Sequence, residues 1–257
     1  MSVSYPDLKG RAYAITGAAS GMGRETALLL AKQGANVGLL DITSPNAVAA
    51  EITKLVGGGH THALSVDVTD AKAVDQAFKS IFETFGRLDG AANLAGTVGT
   101  MKYGQTHHGL ENVTDEDWDF ILKVNLDGVK NCLRSELRLM KGPGSIVNAS
   151  SISGLAGNPY STAYSSSKWA VIGLSKGAAG EAGSKGIRVN AIAPGIVITP
   201  LIKSLGEEEM KRTLISKVAL GRVAQPEDIA KVIVFLMSNE SGYISGSVIN
   251  IDGGFSY

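Results

Sequence analysis

The run from residue 11 to residue 33, RAYAITGAASGMGRETALLLAKQ, constrains the fold more than any other. Its first six residues have the apolar, β-branched character of a short buried strand, and its last ten are good helix formers. Gly17, Ser20, Gly21, Met22 and Gly23 lie between the two. A strand that turns directly into a helix leaves the first helical N–H groups unpaired, at the positive end of the helix dipole. Such a turn suits a pyrophosphate, and its glycines let phosphates approach the main chain closely. These five residues are therefore expected to hold a dinucleotide. The next strand, 36–40, runs into Asp41, eighteen residues after Gly23. A carboxylate there can accept hydrogen bonds from both hydroxyls of the adenosine ribose. It also repels a 2′-phosphate, so the expected cofactor is NAD, with NADP disfavoured.

The same alternation continues along the chain. Apolar strands are predicted near 11–16, 36–40, 62–66, 88–93, 144–149, 187–192 and 247–251. Helices are predicted near 22–33, 45–56, 71–85, 115–140, 161–183 and 226–238. Short continuous apolar strands with helices between them imply a parallel sheet covered on both faces, an α/β class. No repeat, linker or low-complexity tract divides the 257 residues, so one domain over 1–257 is expected.

Bulk properties exclude several function classes. Twenty-four basic and twenty-four acidic residues cancel, so no global field draws the chain to nucleic acid or acidic lipid. No run of 18 apolar residues and no charged-then-apolar leader at 1–10 is present, which makes the cytoplasm the expected location. The single Cys132 reads as a small apolar helix residue. His60, His62, His107 and His108 show no metal-ligand spacing, so no metal site is expected.

The chemistry is concentrated in residues 150–168, SSISGLAGNPYSTAYSSSK. Tyr164 and Lys168 are four apart and share one face of a helix. An ammonium beside a phenol favours the phenolate, and an oxidised nicotinamide would add a second positive charge. Together they are expected to lower the Tyr164 pKa toward neutrality. Ser151 stands thirteen residues before Tyr164 and can hold a substrate oxygen. Its neighbour Ser150 is the rival, since adjacent strand residues point to opposite faces. A serine nucleophile has no support, because no histidine follows residue 108 and no G-x-S-x-G surrounds the pair.

With Thr16-Gly17-x-x-x-Gly21-x-Gly23, Asn93-Leu-Ala-Gly96, Asn125, Ser151 and Tyr164-x-x-x-Lys168 in order, the chain resembles the short-chain dehydrogenases/reductases over almost its whole length. Asp67-Val68, Pro194-Gly195-Ile-Val-Ile-Thr199 and Ile251-Asp-Gly-Gly254 agree. Leu94 stands where that family often has a second asparagine. The resemblance implies a single-domain, Rossmann-like, doubly wound seven-stranded parallel sheet, with the cofactor at the carboxyl ends of its strands. It implies a catalytic set of Asn125, Ser151, Tyr164 and Lys168. Tyr164 acts as acid/base, Lys168 also binds the nicotinamide ribose, and Asn125 holds a water against Lys168. It adds Asp67, Val68, Asn93, Ala95, Gly96, Pro194, Val197 and Thr199 to the cofactor contacts, and it implies a homotetramer or dimer. Substrate choice is expected from loops near 97–116 and 196–221. Neither carries an arginine cluster, and the charged run 207–212 reads as a solvated helical face. The expected substrate is a neutral secondary alcohol or ketone, interconverted by hydride transfer. A dinucleotide-binding regulator or scaffold and a non-redox epimerase or dehydratase are the alternatives.

Overall fold

The computed structural model describes residues 4–58, 60–100, 109–203 and 215–255. Its strands are β1 (Ala12–Thr16), β2 (Asn36–Asp41), β3 (Thr61–Ser65), β4 (Gly90–Asn93), β5 (Gly144–Ala149), β6 (Ile187–Pro194) and β7 (Val248–Ile251). All pair in parallel as one seven-stranded sheet in the order β3-β2-β1-β4-β5-β6-β7. The order reverses between β1 and β4, and a cleft opens there at the carboxyl ends of the strands.

The helices are α1 (Gly21–Lys32), α2 (Asn46–Val56), α3 (Ala71–Phe85), α4 (Asp115–Leu122), α5 (Gly128–Leu139), α6 (Thr162–Ala182), α7 (Pro200–Lys203) and α8 (Pro226–Met237). Alternate strand residues face opposite layers, so the sheet carries two cores. Ile15, Leu39, Val147 and Ile192 pack under α1, α2 and α8, where Leu30, Ile52 and Ile233 meet them. Ala14, Leu40, Ile146 and Val189 pack under α3, α5 and α6, against Phe78, Leu133 and Val171. This is the sandwich that the strand and helix pattern predicts.

Two local features were not visible in the pattern. The predicted helix 115–140 is interrupted by a π turn, Lys123–Asp127, in which the Gly128 N–H donates to the Lys123 carbonyl. That five-residue hydrogen bond inserts one extra residue between α4 and α5. The short α7 is the second addition. Residues 101–108 and 204–214 of the two expected substrate loops, with His107, His108 and the charged run 207–212, lie outside the described residues.

Candidate active site

The cleft at the switch point has a volume of about 640 Å³ and is lined at one end by Gly17, Ser20, Gly21, Met22 and Gly23. Gly17 is left-handed at φ 69°, and a Cβ built on it would lie 2.9 Å from the Ala95 nitrogen. A Cβ on Gly23 would run into the Gly17 carbonyl. Only glycine lets the turn close this tightly onto α1 and the loop after β4. The Thr16 hydroxyl ties the two together by accepting from Leu94 N at 3.1 Å and Ala95 N at 3.2 Å.

Asp41 stands at the rim. Its carboxylate accepts from Ala19 N at 3.0 Å and Thr43 N at 2.9 Å, so the main chain fixes its orientation. Ile42, next to it, lines the same rim and is 72% exposed, an apolar side chain held out at a cleft mouth. Asp67, Val68, Ala95, Gly96 and Thr199 line the cleft as well. Asp67 is ordered by accepting from Thr69 N at 2.8 Å.

Three residues of the expected cofactor set are placed differently. Asn93 is buried beneath the cleft, its amide nitrogen donating to Asn148 at 2.9 Å and to Glu136 at 3.3 Å. Pro194 ends β6 and does not line the cleft. Val197 is buried and forms a parallel bridge with Ala224. Sequence reasoning did not find Ile42, Thr97, Phe120 and Lys123, which also line the cleft. For Ile42 the signal was available: an apolar residue immediately after the strand-end aspartate.

The catalytic set converges beside this cleft. Lys168 is buried on α6, and its ammonium donates to the Ala149 carbonyl at 2.9 Å. It lies 5.6 Å from the centre of the Tyr164 ring, as expected for residues four apart on one helix face. The Ser151 hydroxyl hydrogen-bonds the Tyr164 phenol and accepts from Ser153 N at 3.1 Å. Ser150 points the other way, donating to the Lys168 carbonyl at 2.8 Å. The two serines thus divide as their strand alternation requires, one holding α6 and one facing Tyr164.

Asn125 sits in the π turn, fully buried. Its Oδ1 accepts from Thr97 N at 2.8 Å, and its Nδ2 donates to the Thr97 carbonyl at 2.9 Å and to Ser167 Oγ at 3.1 Å. A Cβ on Gly96 would meet Asn125 Oδ1 at 3.2 Å and Lys168 Nζ at 3.4 Å, so the two side chains approach each other across this glycine.

The electrostatics differ from expectation at one point. Burial raises the Tyr164 phenol above its usual pKa, with the Ser151 hydrogen bond opposing. Burial also brings Lys168 down to about 8. Desolvation disfavours both charged forms. The depressed tyrosine expected from Lys168 is therefore not a property of the chain alone.

Beyond Tyr164 lies a small apolar cluster of Val98, Ile196, Val218 and Val223, against which the tyrosine ring packs. The sheet order, the glycine turn and the Ser151, Tyr164 and Lys168 cluster have counterparts among known proteins. A family profile described as enoyl-(acyl carrier protein) reductase matches residues 17–256. The chain is 41% identical to short-chain dehydrogenase/reductase aba4 of Botryotinia fuckeliana, covering 94% of this chain and 95% of the relative. It is a short-chain dehydrogenase/reductase. The 3-oxoacyl-(acyl-carrier-protein) reductase FabG of Thermotoga maritima is 40% identical, over 96% of this chain and 98% of that one. Levodione reductase superposes with a TM-score of 0.89 at 33% identity, covering 96% and 97% of the two chains. A short-chain dehydrogenase/reductase of Mycobacterium marinum gives a TM-score of 0.90 at 30% identity, covering 98% of each chain. The protein is an oxidoreductase of this family. Among the described residues no helix is long and apolar enough to cross a membrane.

Proposed function

We propose that this short-chain dehydrogenase/reductase interconverts a neutral secondary alcohol and its ketone, with NAD(H) preferred over NADP(H). The convergence of Ser151, Tyr164 and Lys168 beside a cleft whose rim carries Asp41 supports this reading above all. The relatives named as 3-oxoacyl-(acyl-carrier-protein) reductase and levodione reductase favour the carbonyl direction. The apolar cluster against Tyr164 favours a neutral substrate.

The residues fit a dinucleotide: close-packed glycines and helix N–H groups for the pyrophosphate, and an oriented carboxylate for the ribose. Gly17, Ser20, Gly21, Met22, Gly23, Asp41, Asp67, Val68, Ala95, Gly96 and Thr199 would hold it. When bound it supplies or accepts the hydride. Ser151 fixes the substrate oxygen by hydrogen bonding. Tyr164 gives a proton to that oxygen on reduction and takes one on oxidation. Lys168 orients the tyrosine and favours its ionised form by proximity. Asn125 clamps Thr97 and thereby fixes the loop that borders Lys168. Half-exposed Phe120 and Trp169, on α4 and α6, support a homodimer or homotetramer, which light scattering would test. A cytoplasmic location belongs to the same proposal, and cell fractionation would test it.

The deciding assay follows NADH and NADPH oxidation with a panel of cyclic and acyclic ketones, using the wild type and Tyr164→Phe. Turnover is expected with NADH and the wild type only. Retained turnover in the variant would remove Tyr164 from its role, and tighter binding of NADPH would remove the role given to Asp41.

A further inference from the structure

The mechanism leaves the buried carboxyl of Glu136 unused. Glu136 on α5 is fully buried. Asn93 Nδ2 donates to its Oε2 at 3.3 Å and to Asn148 Oδ1 at 2.9 Å. Asn148 Nδ2 donates in turn to Ser175 Oγ at 2.9 Å, and Ser175 Oγ donates to the Val171 carbonyl at 2.7 Å. A continuous polar chain therefore crosses from α5 through β4 and β5 to α6.

Two acceptors in this chain are buried without a partner: Glu136 Oε1 and Asn93 Oδ1. They belong to the same touching pair of side chains. A carboxylate has no hydrogen to offer, so it would leave both atoms bare in the core, which is costly. A single proton on Oε1 satisfies both. The acid O–H then donates to Asn93 Oδ1 while the amide N–H donates to Oε2, closing a ring of two hydrogen bonds.

We infer that Glu136 is carried in the folded protein as an un-ionised carboxylic acid paired with the Asn93 amide, and that this pair is a positioning device for Lys168. Burial pushes the Glu136 carboxyl up to about 8, against the opposing Asn93 hydrogen bond. Cys132, one turn earlier on α5, is fully buried, and burial holds its thiol well above its usual value. Toward α3, Asp75 accepts from Ser135 and faces Arg138 at 3.7 Å. Among the described residues, the hydrogen-bonded members of this polar chain on β4, β5 and α6 are the neutral Asn93, Asn148 and Ser175. Asn148 precedes Ala149, whose carbonyl holds the Lys168 ammonium. Ser175 lies seven residues beyond Lys168, two turns along the same side of α6. The acid–amide pair thus braces both supports of the lysine, the end of β5 and the body of α6.

The positioning half of this inference rests on the dehydrogenase reading above, while the protonation half does not. Glu136→Gln tests the latter, because a glutamine makes the same two hydrogen bonds with no proton to lose. An infrared difference spectrum, wild type minus E136Q at pH 7, is expected to show the carbonyl stretch of an un-ionised carboxylic acid; a carboxylate band in its place would overturn the proposal. Between the ordinary carboxyl value of 4.5 and about 8, the folded chain keeps a proton that the unfolded chain has released. The wild type is therefore expected to lose thermal stability relative to E136Q as pH rises through that window, and the gap should level off above it. Parallel pH profiles would also overturn it. Neither readout needs a substrate, so failure of the dehydrogenase reading is distinguishable. For positioning, Glu136→Leu is expected to lower kcat several-fold with a smaller change in the dinucleotide KM, and E136Q to restore kcat. An equal change in both constants, or no rescue, would reject the positioning role.

Discussion

At the glycine turn the wall of the cleft is main chain: Gly17, Gly23 and the Ala95 nitrogen stand so close that no side chain fits between them. Beside the cleft, around Lys168, the second wall is side chains: Asn125 is held by Ser167, the lysine by the Ala149 carbonyl, and Tyr164 by Ser151 and by contact with the lysine. Main chain cannot rotate to accommodate an intruder, whereas side-chain ends can shift by a few tenths of an ångström. The first wall suits a ligand part that is the same in every turnover, and the second suits groups whose protons move.

The largest expected effect probes the second wall alone. Tyr164→Phe removes one oxygen and should lower kcat by about 10³-fold, the range for a lost general acid/base. NADH affinity, read by fluorescence titration, should stay as in the wild type. Loss of binding along with turnover would mean that the walls are not separable. Gly23→Ala probes the first wall, since its methyl meets the immovable Gly17 carbonyl. Dinucleotide affinity should fall about 100-fold, the equivalent of two lost charge-assisted hydrogen bonds. Gly96→Ala is the control on the other side, where the methyl meets only the ends of Asn125 and Lys168. It should lower kcat much less than Tyr164→Phe and lower affinity much less than Gly23→Ala; an affinity loss matching that of Gly23→Ala would erase the contrast.

Asp41→Asn keeps the hydrogen-bonding shape and removes the charge. The preference for NAD over NADP should narrow by about tenfold, or about 1.4 kcal/mol, in competitive binding. The last test reads a pH trend in stability, not binding or turnover. Lys168 has its folded pKa lowered from 10.5 to about 8. Between those values the unfolded chain holds a proton that the folded chain has released, so stability should rise with pH across this window. A Lys168→Met variant, which has nothing to titrate there, should lack that rise in thermal unfolding followed from pH 8 to 10.5.

The two walls were unequally legible in the sequence. The glycine turn and Asp41 are written in consecutive residues with fixed spacing, and the structure brings them to one cleft end. The strands were legible as well, because a buried parallel strand must be apolar on both faces. Of the second wall, the residue types and the Tyr164 to Lys168 spacing could be read, but not the contacts that orient them. Asn125 owes its inward aim to a π turn, and a regular helical period over 115–140 does not contain one. The pairing of Asn93 with Glu136 joins residues 43 apart and has no local signature. The raised phenol of Tyr164 depends on how much protein surrounds it, a quantity no spacing encodes.

The π turn has a consequence for how this protein can be improved. Deleting one residue between Lys123 and Asp127 would restore unbroken α-helical hydrogen bonding and, for the backbone, a better helix. It would also rotate everything on one side of the turn by about 100° relative to the other. Asn125 would then release Thr97, and α5 could no longer present Glu136 to Asn93 while α4 kept its place. Val129 and Leu133 would turn out of the core along with it, so heat resistance and turnover would both be lost. The segment 123–127 is thus where stability and activity hang on the same irregular turn.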